Sequence, residues 1–440
     1  MTKHMQVSIS NSQPNSVQQW LAKTPWGAVC CMSFSAFIIY SCMYGFRKPY
    51  TVATYNNLYF LGISYKVCLV VAQVIGYMLS KFIGIRFIST MQPIKRAYFI
   101  ILFIGLAWLS LLGFAVVPAP YNIFCMFLNG LPLGMVFGLV FGFLEGRKTT
   151  EIMGAFLATS FIFASGLAKS IGKWLLLKWH ISEWLMPFVA GGFLILPLLV
   201  AVWFIQQSPP PSADDIAHRT QRHPMTKTER MAFVKTFGLA ITPVVIAYGV
   251  FTIVRDFCED FANELWIETG YKDNASIFAN MSTNVSLIVL AIVGGFFLIK
   301  NNYKAFVAAH YIVIFGVLLS AAATLLYTAN YISPITWMLL ATTGMYLAYL
   351  PFNCLYFERM LSTYQMRANV GFVMYIADAF GYLGTVLVLL IKEFITIKYN
   401  WVSFFSGLFY TASIIGTLLI AVSLIIHHQL FKIITSRHDK

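Results

Sequence analysis

Two arginines in this chain sit in matching surroundings. Arg47 follows Tyr40 by seven residues, and Arg255 follows Tyr248 by the same interval, 208 positions later. Seven residues make two helical turns, so each tyrosine lies on the face of its arginine. Tyr40, Tyr44, Arg47, Lys48 and Thr51 share one such face; Tyr248, Thr252, Arg255, Asp256 and Glu259 repeat the theme. A guanidinium is a planar fork of donors that grips a carboxylate or phosphate through two parallel bonds. Two forks converging on one point would hold a small anion, with Tyr44 and Tyr248 supplying hydroxyls to orient it. Each arginine also has a plainer reading. Arg47-Lys48-Pro49 marks a helix end where long side chains reach for the headgroups, and Arg255 pairs locally with Asp256 or Glu259.

Other charges fall inside apolar surroundings, where ionisable groups are costly and usually face a bundle interior. Lys81 is either a cavity cation or an anchor at a membrane edge. Lys169, on one face with Ser165 and Lys173, is either a third anion contact or a residue near the outer surface. Asp378, flanked by Tyr375 and Tyr382, is a proton-coupling carboxylate or the structural partner of a distant base. Glu145 with Arg147, and Glu358 with Arg359, stand at corresponding helix ends and read as gating ion pairs or as solvated loop charges. No catalytic group, nucleotide-type phosphate loop or metal-ligand cluster is found, so no enzyme activity, cofactor or metal is expected. The seven cysteines show no metal-ligand spacing and read as small buried residues.

The elements that must position these groups follow from composition. Of 440 residues 59% are hydrophobic and 10% charged, far below the charge content of a soluble domain. Apolar runs recur near the ~20 residues that a helix needs to cross ~30 Å of hydrocarbon. They predict an all-α membrane protein with spans Trp26–Phe46, Val67–Ile88, Tyr98–Val117, Asn122–Leu144, Ile152–Leu177 and Trp184–Ile205. Six more follow at Thr236–Val254, Ile277–Ile299, Ala305–Tyr327, Ile335–Tyr356, Asn369–Ile391 and Trp401–Ile426. Gly130, Gly134 and Gly138, four residues apart, predict close helix packing in the fourth span.

The net charge of +14 would suggest nucleic acid in a soluble protein. Its placement says otherwise. Lys and Arg gather after the second, fourth, sixth, eighth, tenth and twelfth spans, while the loops after the third and ninth carry none. That bias predicts a multi-pass inner-membrane protein with both termini cytoplasmic and no nucleic-acid partner. The first two dozen residues lack the basic start and cleavage site of a secretory signal, so the first span is expected to be retained.

The longest polar stretch, 206–235, opens on Pro209, Pro210 and Pro211 and divides the spans six and six. The expected organisation is a cytoplasmic segment 1–24, a six-helix bundle 25–205, a cytoplasmic linker 206–235, a second bundle 236–427 and a tail 428–440. With Tyr40/Arg47 against Tyr248/Arg255 and Glu145/Arg147 against Glu358/Arg359, the halves read as pseudo-repeats, the layout of the major facilitator superfamily.

"YGFRKPYTVATY" and "IGYMLSKFIGIRFI" resemble the first two helices of the organophosphate:phosphate antiporters of that superfamily, the glycerol-3-phosphate and hexose-phosphate transporters. The resemblance implies phosphate binding by Arg47, Lys48 and Arg255, with Lys81 as the second-helix lysine. "FLNGLPLGM" (Phe127–Met135) and "LEGR" (Leu144–Arg147) resemble an uncharacterised bacterial group of such proteins. The fifth helix departs from the antiporters in having no histidine, Lys169 being its nearest base. The expectation is a monomeric secondary carrier of a small organic anion in the lipid bilayer. A proton-coupled carrier of a carboxylate or neutral solute, with Asp378 as coupling group, and a non-transporting sensor or scaffold are the alternatives.

Overall fold

The computed structural model describes residues 16–89, 91, 93–145, 147–210, 215, 227–364, 370–394 and 400–438. Each apolar run has become a helix, because only a helix or a closed barrel satisfies every peptide group in lipid. In chain order the long helices are α1 (Pro25–Gly45), α2 (Tyr65–Ser89), α3 (Arg96–Val116), α4 (Ile123–Leu144) and α5 (Thr150–Lys178). The sixth, α6, is in two pieces, Met186–Gly192 and Ile195–Gln206. Then come α7 (Lys227–Asp260), α8 (Ile277–Gly294), α9 (Asn302–Thr328), α10 (Pro334–Cys354), α11 (Val370–Phe394) and α12 (Trp401–His438). Among the described residues ten of these are long and apolar enough to cross a bilayer, and the bent pair makes an eleventh. Helix α11 completes the set; its apolar stretch Phe380–Ile391 is shorter.

Several ends differ from the hydropathy reading. The sixth span is bent by 42° where a single straight helix was expected. Gly191 and Gly192, weak helix formers, stand at the break. Helix α7 begins at Lys227, nine residues before the expected Thr236, and α12 continues to His438. Hydropathy stops where lipid stops, but helix-forming residues such as Glu229, Arg230, Met231 and Ala232 carry the backbone on. Helix α8 ends at Gly294 and tightens into a 3-10 turn, Gly295–Leu298, as two glycines in succession permit.

Helix α2 lies against α4, α3 against α4, and α1 against α5 and α6; α7 packs on α11 and α12, and α9 on α10 and α12. The main pairs that join these groups of six are α5 with α8 and α2 with α11, and α5 also touches α10. Moving six helices along the chain converts one pair into the other, so the junction has the pseudo-twofold form that duplicated halves require. The segments of α5 and α10 are 72% buried, those of α3 and α12 only 33%, which places the first two at the centre and the others against lipid. Large apolar side chains such as Leu109, Leu199, Phe315 and Leu418 face outward, as a hydrocarbon solvent allows.

Glycines set the closest approaches. A Cβ on Gly76 or Gly130 would strike the backbone carbonyl of Phe127 or Gln73, so α2 and α4 touch main chain to main chain, and Gly134 continues the contact at Tyr77. The close packing expected at Gly130 and Gly134 is thus present. Gly166 in α5 plays the same part between the halves, against the Phe278 carbonyl of α8.

Candidate functional site

Helix α1 stops at Gly45 because Pro49 has no N–H and disfavours helix in the residue before it. The chain turns through a 3-10 segment, Pro49–Val52, leaving the last carbonyls of α1 without helical partners. Neighbouring helices claim them. Gln73 Nε2 of α2 donates to Arg47 O at 3.0 Å, and Asn129 Nδ2 of α4 donates to Phe46 O at 3.0 Å. Gln73 also donates to Asn129 Oδ1 at 2.8 Å, and Asn129 to Ala107 O at 2.9 Å. The backbone that carries Arg47 and Lys48 is thereby fixed to three other helices.

The two side chains then part. Lys48 crosses to the end of α7, with Nζ 3.3 Å from Glu259 Oε2 and 2.5 Å from Asp260 Oδ1. Arg47 turns to the interior, its Cζ 4.0 Å from the centre of the Tyr77 ring and 5.7 Å from that of Tyr44. It is 3% exposed, and its Nε has no hydrogen-bond partner. Among the described residues no carboxylate lies within ion-pair distance of it. Burying a guanidinium costs several kcal/mol even after relaxation, whereas a desolvated cation–π contact returns about 2 kcal/mol. The deficit is of the size that charge-assisted bonds to an anion make good.

Arg255 stands otherwise. Its Nε and Nη2 donate to Asp256 Oδ1 at 3.1 and 2.6 Å, and Nη1 donates to the Tyr349 hydroxyl. Asp256 also accepts from Thr385 Oγ1 of α11 at 2.8 Å. The local pairing left open by the sequence is therefore present, and the picture of two unpaired forks is corrected to one unpaired and one neutralised. Tyr248 reinforces the second: its ring stacks on Tyr349 at 5.1 Å and its hydroxyl donates to Tyr349 Oη at 3.1 Å.

The arginines nevertheless approach one pair of rings. Tyr77 of α2 and Tyr382 of α11 meet edge to face, 5.6 Å apart, across the junction of the halves. Arg47 lies over Tyr77; the Arg255 Cζ is 5.7 Å from the Tyr382 ring; Lys81 Nζ is 5.4 Å from Tyr77 and 5.1 Å from Tyr382. Three cations surround one aromatic pair. Tyr44 adjoins Arg47, and Tyr40 Oη lies 3.3 Å from Tyr77 Oη.

Toward the end where α1 stops, polar contacts sew the halves together. Glu259 is the hub: it meets Lys48 and accepts from Tyr346 Oη at 3.1 Å, while its main-chain carbonyl accepts from Lys169 Nζ at 2.9 Å. Lys173 Nζ donates to Asn263 Oδ1 at 3.1 Å, and Ala279 N to Ser170 Oγ at 2.9 Å. Among the described residues the buried cations of this region, Arg47, Lys48, Lys66, Lys169, Lys173 and Arg255, outnumber its buried carboxylates, Asp256, Glu259 and Asp260.

Of the sequence-chosen residues, Arg47, Tyr44, Lys81 and Arg255 come together around the Tyr77–Tyr382 pair, with Tyr248 behind Arg255. Lys48 and Lys169 belong to the seam instead, because carboxylate and carbonyl acceptors on α7 take their ammonium groups. The Arg147 guanidinium donates to Pro209 O, and Arg359 Nη1 to Asn302 Oδ1 at 2.7 Å. The first contact reaches the segment after α6, and the second stays within the second half. Glu145 follows the last residue of α4, and Glu358 and Arg359 lie in a short helix, Tyr356–Thr363, after α10. Asp378 is on α11, but its side chain lies outside the described residues. Sequence reasoning passed over Tyr77, Tyr349, Gln73 and Asn129. The one available signal for the amides was that a helix ending at "FRKP" leaves carbonyls that some buried donor must meet.

The fold that holds this site is that of the major facilitator superfamily. A crystal structure of a POT peptide transporter in complex with alafosfalin superposes with a TM-score of 0.61 at 13% identity, covering 95% of this chain and 99% of that one. A D-xylose–proton symporter gives 0.59 at 14% identity, with 91% and 97% covered. The chain belongs to a protein family of unknown function, DUF5690, which matches residues 49–429. No curated protein matches it.

Proposed function

We propose that this protein is a secondary carrier of a small organic anion, working by rocking of two six-helix bundles, 25–205 and 236–427, about the chamber between them. The observation that carries the reading is Arg47: a buried guanidinium at the junction of the halves, without a carboxylate, in a site whose other arginine is neutralised. Arg47 grips the anion, Lys81 adds positive potential, and Tyr44 shapes the wall. Arg255 and Tyr248 form the opposite wall through Tyr349. The Lys48–Glu259–Lys169 seam closes one end, and by the distribution of basic loops that end faces away from the cytoplasm, with the chain in the inner membrane as a monomer. The transporters that share the fold support the carrier class, and the resemblance of the first two helices to the organophosphate:phosphate antiporters makes a phosphorylated metabolite the first substrate to try.

The test is counterflow in proteoliposomes containing the full chain, with labelled glycerol phosphate, hexose phosphate and dicarboxylates on one side and phosphate on the other. Saturable uptake of one of them, lost in Arg47→Ala and partly kept in Arg47→Lys, is the expected result. Uptake that is indifferent to Arg47 would overturn the site, and a protein that moves none of the anions but accumulates neutral solutes down a proton gradient would favour a proton-coupled carrier.

A further inference from the structure

Helix α8 begins at Ile277, so Ser276 stands where a serine hydroxyl ordinarily accepts from the second or third free N–H of the helix. Ser276 does not do so. Its backbone is helical, with φ −79° and ψ −11°, whereas a capping residue is extended. Its hydroxyl donates to Asn274 Oδ1 at 3.0 Å. The N–H of Ala279, third in the helix, goes instead to Ser170 Oγ of α5 at 2.9 Å. A helix of the second half is thus capped by a serine of the first.

The same face of α5 holds this cap in register. Gly166, one turn before Ser170, lets α8 come so near that a Cβ there would meet Phe278 O at 2.3 Å and Ser282 Oγ at 1.9 Å. Ser282 Oγ in turn donates to Phe163 O at 3.3 Å, and Lys169 Nζ lies 5.9 Å from the centre of the Phe278 ring. These contacts all cross between the halves, so a separation of a few ångströms at this end breaks them together. Ser276, by contrast, travels with α8. It is exposed, and a rotation about its own ψ brings its hydroxyl to the first turn.

We propose that α8 exchanges caps as the carrier rocks: Ser170 holds the Ala279 N–H while this end is shut, and Ser276 takes it over when the end opens. The inference rests on the rocking of the two halves and is independent of the cargo. Each arrangement then has its own acceptor for the same donor, and α8 keeps its first turn in both. The relative strength of the two serines sets how often the empty protein opens here.

Cys258 reports the opening. Its thiol is buried on α7, within electrostatic reach of Lys169 across the junction, whereas Cys68 is partly exposed and serves as reference. The experiment is N-ethylmaleimide labelling of the purified full chain without added anion, read by peptide mass spectrometry as the rate at Cys258 relative to Cys68. With fast opening, that rate follows the open fraction. Ser170→Ala removes the cap of the shut arrangement and raises the rate about fivefold, the weight of a typical helix cap. Ser276→Ala removes the cap of the open arrangement and lowers the rate by about the same factor. The double variant returns close to wild type. Glu259→Gln, which weakens the Lys48 contact, is the control for opening at this end. A rate that Glu259→Gln raises but neither serine changes, or that both serines shift in one direction, overturns the cap exchange and leaves the rocking intact. Cys258 unlabelled in every variant, Glu259→Gln included, overturns both.

Discussion

Arg47 and Arg255 occupy equivalent places in two halves of similar design, and the protein treats them in opposite ways. In the first half the residue after the arginine is a lysine, which leaves to bind Glu259 and Asp260 of the other half. In the second half the residue after it is an aspartate, which stays and takes two of the guanidinium's donors. One arginine is thus kept available and the other is held as structure. In the proposed carrier this gives one strong anchor and one pre-formed wall, which suits a cargo that must be released as well as bound.

The difference can be broken most severely at Arg47. Arg47→Ala should lower anion transport a hundredfold or more in proteoliposomes, in line with about 3 kcal/mol for a charge-assisted pair in a dry site. Its Tm should stay the same or rise, because a buried unpaired charge is removed. A stable variant that still transports would end the contrast between the two arginines. Asp256→Asn converts the second arginine into an unpaired one. The expected cost is about 3–5 kcal/mol of stability, seen as a lower Tm, with part of that loss recovered when a polyvalent anion is added. Next in size is Asn129→Ala, which removes the donors to Phe46 O and Ala107 O. A loss of about 1–3 kcal/mol follows from the Phe46 carbonyl left unmet, since Ala107 O keeps the Ser110 hydroxyl, and the apparent KM should rise because Arg47 is no longer held in place. Smallest is Tyr349→Phe, which deprives Arg255 of an acceptor already secondary to Asp256; about 1 kcal/mol and less than a threefold change in transport are expected. A large transport defect there would show that the second arginine handles cargo after all.

Much of the fold was legible because lipid is a severe solvent. Runs such as Tyr98–Val117 and Trp401–Ile426 have no soluble alternative, and most boundaries fell within a few residues, the seventh and twelfth runs excepted. The misreadings came where hydropathy is silent. Gly191-Gly192 breaks the sixth span although its composition is wholly apolar, and α7 begins in charged sequence because helix propensity outlasts the membrane. At the site, residue types and positions were visible in advance for Arg47, Arg255 and Lys81. The Lys48–Glu259 contact was not, since 211 residues separate the partners and nothing local in either helix names the other.

By itself the sequence determined that this chain lies in a bilayer, that it is helical, and that cations recur at matching places in two halves. Those outcomes follow from the free energy of single segments in hydrocarbon, which depends on local composition. The tertiary structure alone decided which of the cations is neutralised, which is spent on the seam, and which is left against the Tyr77 ring without a carboxylate. Pairing of buried charges depends on distances of a few ångströms between helices far apart in the chain, and only their packing sets those distances.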